Sequence, residues 1–238
     1  MHQGAPAGTV VIAQTQTQGR GQQGRPWASA PGGIYLSLGL RPDILATEGA
    51  RLTLGCGWGV ATVFQAEGIS VGLKWPNDLL LAGKKLGGIL TESRVRGDRI
   101  HQAIVGVGLN WRNLAPEPGI SLQPFLGKQN SLRITCLETA IAFVLKGLVL
   151  GCQRWQYSPI SLKQLLDEYE KLVKLVDRPV QVGSEWGTIT GITTAGELKV
   201  DLVEALDPVK PDFAARVALP SSRRSLVFPP GAIKLGYD

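Results

Sequence analysis

The stretch Lys74–Glu92 constrains the fold more than any other part of this 238-residue chain. Its sequence, KWPNDLLLAGKKLGGILTE, contains two short apolar runs, Leu79–Leu81 and Leu86–Leu90, on either side of a segment with a glycine. A glycine between short apolar runs supplies the backbone freedom that a tight reversal requires. We therefore predict a β-hairpin closed at residues 82–85, with Lys85 at the point where the turn re-enters the sheet.

The hairpin also carries residue types that are typical of a binding site. A turn lysine such as Lys85 is by itself most often a solvated surface residue. Gly87 and Gly88, however, remove side chains from a strand interior, which weakens a sheet unless another group must approach that backbone. Asn77 and Asp78 lie in a turn, where such side chains either brace the local backbone or face a ligand. The hairpin is therefore predicted to present one cation and a carboxamide–carboxylate pair beside bare backbone.

Length and composition indicate an ordinary globular protein with one sizeable core and room for a small second domain. The chain is 44% hydrophobic and 18% charged, which is typical of soluble domains. Its net charge of +6 indicates anionic partners, and nucleotides, nucleic acid and acidic protein domains all fit.

Cysteine, histidine and apolar patterns argue against several classes of protein. Cys56, Cys136 and Cys152 are far apart and form no C-x-x-C pair, so we expect neither a disulfide framework nor a zinc site, and we expect Cys56 and Cys136 to be buried thiols. With only two histidines, any metal should arrive with a phosphate ligand.

The N-terminus does not resemble a signal peptide. The apolar run 140–150, interrupted by Lys146, is too short to span a bilayer, so a cytoplasmic location is expected.

A polar, glycine-rich loop is predicted over residues 15–33. Gly19, Gly21 and Gly24 have the G-x-G-x-x-G spacing of a dinucleotide-binding fingerprint. Such a fingerprint requires a helix to begin at the last glycine, and the prolines that follow argue against one. No G-K-[ST] follows either, so the loop is not a P-loop.

Two arginines within this loop suggest a different use. Exposed backbone N–H groups together with the guanidinium groups of Arg20 and Arg25 suit phosphate oxygens. A disordered basic loop is the alternative. Trp27 favours an ordered loop, because an aromatic ring can stack on a base or cap a pocket.

The rest of the chain is predicted from periodicity and turn residues. Strands are expected at residues 9–14, 34–40, 69–75 and 101–110, helices at 48–67, after a Thr135–Glu138 capping box and, capped by Ser161, at 162–176, and a loop at 111–131. The buried face of the first helix is predicted to contain Leu52, Cys56, Val60, Val63 and Phe64. Short β segments at 180–182, 187–193, 198–202 and 233–235 predict a small antiparallel barrel.

Five motifs, in this order along the chain, resemble those of the biotin protein ligase family. They are Gly19–Trp27, Pro31–Ser37, Lys74–Asp78, Lys85–Leu90 and Gly106–Asn110. The resemblance is strong from Thr9 to Asn110 and looser beyond. It implies an α+β fold, with a mixed β-sheet flanked by helices in a class II synthetase-like catalytic domain at residues 1–177 and an SH3-like β-barrel at 178–238. The family's DNA-binding domain has no counterpart, which implies the monofunctional type.

The resemblance also implies a two-step ligase reaction. Biotin and ATP, with Mg²⁺ carried by the ATP, would give biotinyl-5′-AMP and pyrophosphate. The biotinyl group would then pass to a lysine of a biotin carboxyl carrier domain. No resident metal, DNA or membrane partner is implied, and the resemblance leaves a homodimer open.

Roles for individual residues follow from their motif positions. Lys85 would contact both the biotin carboxylate and the α-phosphate, Arg20 and Gly19 would close over biotin, and Gln16 would lie near its ring. Arg25 and Trp27 would hold phosphates and adenine, whereas Asn77, Asp78 and Asn110 would bind nucleotide and magnesium. The expected catalytic residues are Lys85, Arg20 and Asp78. The expected binding residues are Gln16, Gly19, Arg20, Gly21, Arg25, Trp27, Lys74, Asn77, Lys85, Gly87, Gly88 and Asn110.

Two departures from the family pattern carry expectations of their own. Gln22 stands where family members usually have arginine, at a position tied to retention of the adenylate, so faster escape of the adenylate is expected. The family's Ser-Thr-Asn segment has no counterpart before Gly8. Three explanations are open: the gene start is misplaced, the chain is a fragment, or biotin binding is weakened by the missing donors, each lost hydrogen bond costing about 1 kcal/mol or more.

Two other functions were weighed against this one. A lipoate or octanoate ligase is similar in fold and reaction, and the loop and K-W-P-N-D motifs together favour biotin. A basic nucleic-acid-binding module is disfavoured because the C-terminal segments lack clustered aromatic and basic residues.

Overall fold

The computed structural model describes residues 4–128, 134–156, 159–173, 175–203, 223–233 and 235. The strands are β1 (Val10–Ala13), β2 (Ile34–Leu40), β3 (Ile44–Leu45), β4 (Val71–Lys74), β5 (Asp78–Leu81), β6 (Lys84–Arg96), β7 (Arg99–Leu109), β8 (Pro179–Val182), β9 (Glu185–Ile192), β10 (Leu198–Val203) and β11 (Arg223–Phe228). The helices are α1 (Ala50–Ala66), α2 (Leu122–Lys128), α3 (Leu137–Gln156) and α4 (Pro159–Val173). None of the described helices is long and apolar enough to cross a membrane.

The larger sheet has seven strands in the order β1-β2-β7-β6-β5-β4, and β3 pairs with the start of β7. Every pairing between these strands is antiparallel, so the α+β class is confirmed but the expectation of a mixed sheet is wrong.

The predicted hairpin is confirmed as β5–β6, with Ala82 and Gly83 as its two turn residues. Both have positive φ, 50° and 74°, as the tight turns of hairpins require.

Helix α1 packs against the sheet and against α3. Its predicted buried face, Leu52, Cys56, Val60, Val63 and Phe64, is confirmed. The two helices touch through backbone, because a Cβ on Gly59 would lie 2.1 Å from the carbonyl oxygen of Gly147, and one on Gly151 would lie 2.2 Å from that of Gly55. Small residues at such positions allow the helix axes to approach closely.

Within the part of the chain that the structure describes, the smaller sheet has four antiparallel strands in the order β11-β10-β9-β8. The described residues contain no pairing between β11 and β8, so a closed barrel is not confirmed. Val180, Ile189 and Leu198 nevertheless belong to the same buried cluster as Phe64 and Trp75. A continuous hydrophobic core therefore crosses the predicted domain boundary at residue 177, and the division into two domains remains a prediction.

Three local expectations were wrong. The predicted loop 111–131 contains α2, where Leu122 and Leu126 are buried and a proline in the first turn is tolerated. The described part of helix α4 already includes Pro159, before the predicted cap Ser161, and proline is tolerated in the first turn of a helix. Strand β11, which pairs with β10, was not expected from the sequence, and the predicted strand at 233–235 falls partly outside the described residues.

The third error concerns the start of α3. The predicted cap, Thr135, is displaced by Cys136, whose carbonyl oxygen accepts the amide of Ala140 at 3.1 Å. Cys136 is therefore exposed, contrary to expectation, because it precedes the helix and does not face the core.

The close contact of α1 with α3 generates a stability prediction. Gly59→Ala should lower the free energy of unfolding by about 1–3 kcal/mol, because its Cβ would meet backbone that cannot move aside cheaply. Gly127→Ala in α2 is the matched control, since a Cβ there has nothing within 4 Å and alanine favours a helix by about 1 kcal/mol. Urea unfolding measures both. Equal effects of the two substitutions would contradict the packing described here.

Candidate functional site

A cavity of about 760 Å³ lies between the glycine-rich loop, the β4–β5 turn and the facing parts of β6 and β7. The loop 116–119 also lines it, as do Gly231, Ile233 and Leu235. The structure brings most of the sequence-predicted site residues together in this lining. They are Gln16, Arg20, Gly21, Arg25, Trp27, Lys74, Asn77, Asp78, Lys85, Gly88 and Asn110. Gly19 and Gly87 lie outside it.

An ion pair between Lys85 and Asp78 forms the centre of the cavity wall. Lys85 Nζ lies 2.6 Å from Asp78 Oδ1, and the two side chains are 28% and 12% exposed. The amine is therefore partly buried and faces the same cavity as the loop arginines.

The register of the β5–β6 hairpin, which includes a β-bulge, places these side chains. Asp78 pairs with Gly88 and Leu79 with Gly87, but Leu80 pairs with Lys85, so Leu86 is an extra residue. Residues directly opposite each other share a face of the sheet. Lys85 lies opposite Leu80, which is two residues from Asp78 on β5, so the two charged side chains share one face. The extra residue, Leu86, brings Gly88 onto that same face opposite Asp78, since a slip of one residue reverses every side chain.

Trp27 lies on a floor of paired glycines. Gly88 and Gly108 are register partners on β6 and β7. A Cβ on Gly108 would lie 2.3 Å from the indole Nε1 of Trp27, and one on Gly88 would lie 3.7 Å from the ring. Lys85 Nζ lies 5.4 Å from the ring centroid, within the range of a cation–π interaction. The group that these glycines admit is thus the side chain of Trp27.

The glycine-rich loop is folded back on itself, which confirms the prediction of an ordered loop. The amide of Trp27 donates to the carbonyl oxygen of Gly19 at 2.9 Å, and that of Gly21 donates to Arg25 at 2.7 Å. A Cβ on Gly19 would lie 2.3 Å from the Trp27 carbonyl oxygen, whereas one on Gly87 would lie 2.6 Å from that of Gly108. Both glycines are therefore required by packing, and their roles in binding remain predictions.

The two loop arginines reach the cavity from its exposed side. Arg20 forms a two-pronged ion pair with Glu92, with both N–O distances at 2.9 Å. Arg25 Nε donates to the Gln22 carbonyl oxygen at 3.2 Å. The Arg20 side chain is 67% exposed, and an ion pair with such an exposed partner contributes only about 0–1 kcal/mol to stability. Arg20 can therefore exchange Glu92 for an anionic ligand at small cost. The sequence analysis did not identify Glu92.

The carboxamides of the site are occupied by the protein itself. Asn77 Nδ2 donates to the Ile89 carbonyl oxygen at 2.9 Å. Asn110 is buried, and its Oδ1 accepts Asn113 Nδ2 at 2.9 Å. Asn113, which the sequence analysis missed, also accepts the Trp111 amide through Oδ1 at 3.1 Å. These side chains brace the backbone around the cavity. For Asn77, this is the first of the two alternatives given above, in which the side chain braces the local backbone and does not face a ligand.

The charges around the cavity favour an anionic ligand. Among the described residues, the cations that line it are Arg20, Arg25, Lys74 and Lys85, against the carboxylates Asp78, Glu92 and Glu117. Lys74 is the register partner of Asp78 on β4, so it shares the face on which Asp78 meets Lys85. The described residues contain no group of three potential protein ligands for a metal ion.

The Trp27 contact generates a prediction about loop order. Gly108→Ala should displace the indole and loosen the loop, so tryptic cleavage between Arg20 and Gly21 should become severalfold faster. Gly106→Ala is the control, because a Cβ there makes only an ordinary contact at 3.5 Å. Equal cleavage rates in the two variants would show that the glycine floor does not hold the loop.

Comparison with known proteins places this geometry in a family. The model of the Biotin/lipoate A/B protein ligase family matches residues 1–110. The solved structure "Biotin protein ligase from Aquifex aeolicus in complex with biotin and ATP" is 27% identical, with a TM-score of 0.64, and the match covers 82% of this chain and 83% of that one.

Two curated relatives are both named "Bifunctional ligase/repressor BirA". The one from Bacillus subtilis is 46% identical over 108 residues, which is 44% of this chain and 33% of that relative. This chain therefore spans about a third of that protein. The one from Escherichia coli is 30% identical over 224 residues, which is 92% of this chain and 68% of the relative. The chain belongs to the biotin/lipoate A/B protein ligase family and, within it, to the biotin protein ligases.

Proposed function

We propose that this protein is an ATP-dependent biotin protein ligase. It would form biotinyl-5′-AMP from biotin and MgATP and pass the biotinyl group to a lysine of a biotin carboxyl carrier domain. The observation that carries the proposal is the partly buried Lys85 amine, held 2.6 Å from Asp78 in a cavity lined also by Arg20 and Arg25. The complex of the Aquifex aeolicus relative with biotin and ATP supports the choice of substrates.

The first step brings two negatively charged groups together. A carboxylate that attacks an α-phosphate is repelled by it, so cations fixed at that point stabilise the transition state. At about 4 Å and an effective dielectric near 20, one such pairing contributes on the order of 4 kcal/mol. The position of the Lys85 amine is restricted, because it contacts both the Asp78 carboxylate and the Trp27 ring.

The loop arginines would complete the site. Arg20 would leave Glu92 and fold over the bound acid, and Arg25 would contact phosphate oxygens. Mg²⁺ would enter with ATP as part of the substrate. Asp78 is the carboxylate best placed to face it, and also to accept a proton from the incoming acceptor lysine once the adenylate has formed.

The test is incubation of the chain with biotin, MgATP and an apo biotin carrier domain, followed by mass spectrometry of the carrier. A mass gain of one biotinyl group is expected. Lipoate offered in place of biotin should give none. An unmodified carrier and no pyrophosphate release with biotin would refute the proposal.

Removing the positive charge of Lys85 should strongly slow adenylate formation, the first step of the reaction. Lys85→Gln should lower the rate of adenylate formation on the order of 100-fold, less than the full Coulomb term because solvent reaches the amine. The adjacent Lys84→Gln is the matched control, since Lys84 is exposed and does not line the cavity. Pyrophosphate release measures both rates. Similar rates in the two variants would remove Lys85 from the chemistry.

Asp78 should contribute mainly to the second step. Asp78→Asn should slow transfer from preformed adenylate to the carrier by about 10- to 100-fold, in the range of a lost general base. Asp98→Asn, at the exposed β6–β7 turn, is the control. Single-turnover transfer with purified adenylate measures this, and an unchanged transfer rate would reject the role.

Gln22 should set how long the adenylate is retained. It lines the cavity, and its neutral side chain offers no charge to the adenylate phosphate. Gln22→Arg should therefore slow adenylate release, by about tenfold if the charge adds about 1.4 kcal/mol. Release can be followed by filtration of adenylate-loaded protein. A release rate that does not fall would count against this.

A further inference from the structure

The turn that carries Asp78 is held from two directions. On the cavity side, Asn77 and Ile89 exchange two hydrogen bonds, from Asn77 Nδ2 to the Ile89 carbonyl oxygen and from the Ile89 amide to the Asn77 carbonyl oxygen, each 2.9 Å long. On the opposite side, the phenol of Tyr169 on α4 donates to the Pro76 carbonyl oxygen at 3.2 Å. Pro76 therefore lies between two anchors.

Tyr169 lies in the protein interior, next to the charged part of the turn. Its side chain is 1% exposed. Burial raises the pKa of the phenol strongly, and the negative charge of Asp78 raises it further. The hydroxyl therefore keeps its proton and remains a hydrogen-bond donor to the turn.

A second contact ties the same turn to the C-terminal part of the chain. Trp75 is 2% exposed, and its indole Nε1 donates to the Gly196 carbonyl oxygen, between β9 and β10, at 3.0 Å. Trp75 and Tyr169 belong to one buried cluster. The backbone on both sides of Pro76 is thus fixed by residues far along the chain.

We propose that Tyr169 is a positioning residue for the Asp78–Lys85 pair in the ligase reaction. The inference rests on the proposed function for its catalytic consequence. Asp78 is the first residue of β5, so any movement of the Pro76 carbonyl is passed to its carboxylate within two residues. A displacement of about 1 Å at a reacting group can cost on the order of 100-fold in rate. The Tyr169 hydroxyl thus restrains Asp78 through the Pro76 carbonyl oxygen, although Tyr169 itself does not line the cavity.

The decisive variant is Tyr169→Phe, which removes the hydroxyl and keeps the ring that fills the core. Its kcat for adenylate formation and for transfer should fall about three- to tenfold, with the KM for biotin and ATP within about twofold of the parent. Tyr35→Phe is the matched control, because Tyr35 is also buried and its hydroxyl also donates to a backbone carbonyl, that of Ala30, at 2.6 Å. Tyr35 does not line the cavity.

A second measurement is independent of activity. Labelling of amines with acetic anhydride, followed by mass spectrometry, compares Lys85 with the exposed Lys84 in the same protein. Loosening of Asp78 should make Lys85 react about two- to threefold faster in Tyr169→Phe and leave it unchanged in Tyr35→Phe. This measurement tests the positioning role even if the proposed ligase activity fails.

The outcomes separate the two hypotheses. A lower kcat in Tyr169→Phe alone, with faster labelling of Lys85, supports the positioning role. Parental labelling in Tyr169→Phe overturns it. Equal losses in both tyrosine variants, or parallel changes in kcat and KM, also overturn it, because they indicate general loosening of the fold.

Discussion

The contact between Lys85 and Asp78 is the interaction on which the site depends. It exists because the two-residue turn pairs Lys85 with Leu80, which lies on the same face of β5 as Asp78. A lysine on the other face would be buried in the apolar core around α1, where a charge is costly. The hairpin register therefore places a cation where an acid and a phosphate could meet it, and the carboxylate neutralises it until then.

Glycines determine how the rest of the site is built around this pair. Gly88 and Gly108 leave a flat floor for the Trp27 ring, and Gly19 lets the loop fold back on the Trp27 carbonyl. The ring in turn lies 5.4 Å from the Lys85 amine. The space that these glycines leave is thus filled by the protein's own Trp27 and not by a ligand. Trp27 in turn helps to orient the Lys85 amine that a ligand would contact.

The site also depends on residues far along the chain. Tyr169 and Gly196 bond to the turn before Asp78, and Gln23 of the loop donates to the Gly231 carbonyl oxygen at 2.8 Å. The motifs that identify the family all lie before residue 111. Their geometry is held by helices and strands in which the sequence analysis recognised no chemistry.

The sequence by itself determined the hairpin, the ordered loop, the buried face of α1 and many of the residues that line the cavity, because each follows from local turn chemistry, periodicity or motif spacing. It could not show that the Asn77 side chain donates to the Ile89 carbonyl oxygen, that Asn110 accepts from Asn113, or that Arg20 pairs with Glu92. It also missed α2, because proline and glycine signals outweighed two buried leucines. Those outcomes, with the bulge and the Tyr169 contact, were decided by the tertiary structure, because they join residues whose proximity arises only once strands pair and helices pack.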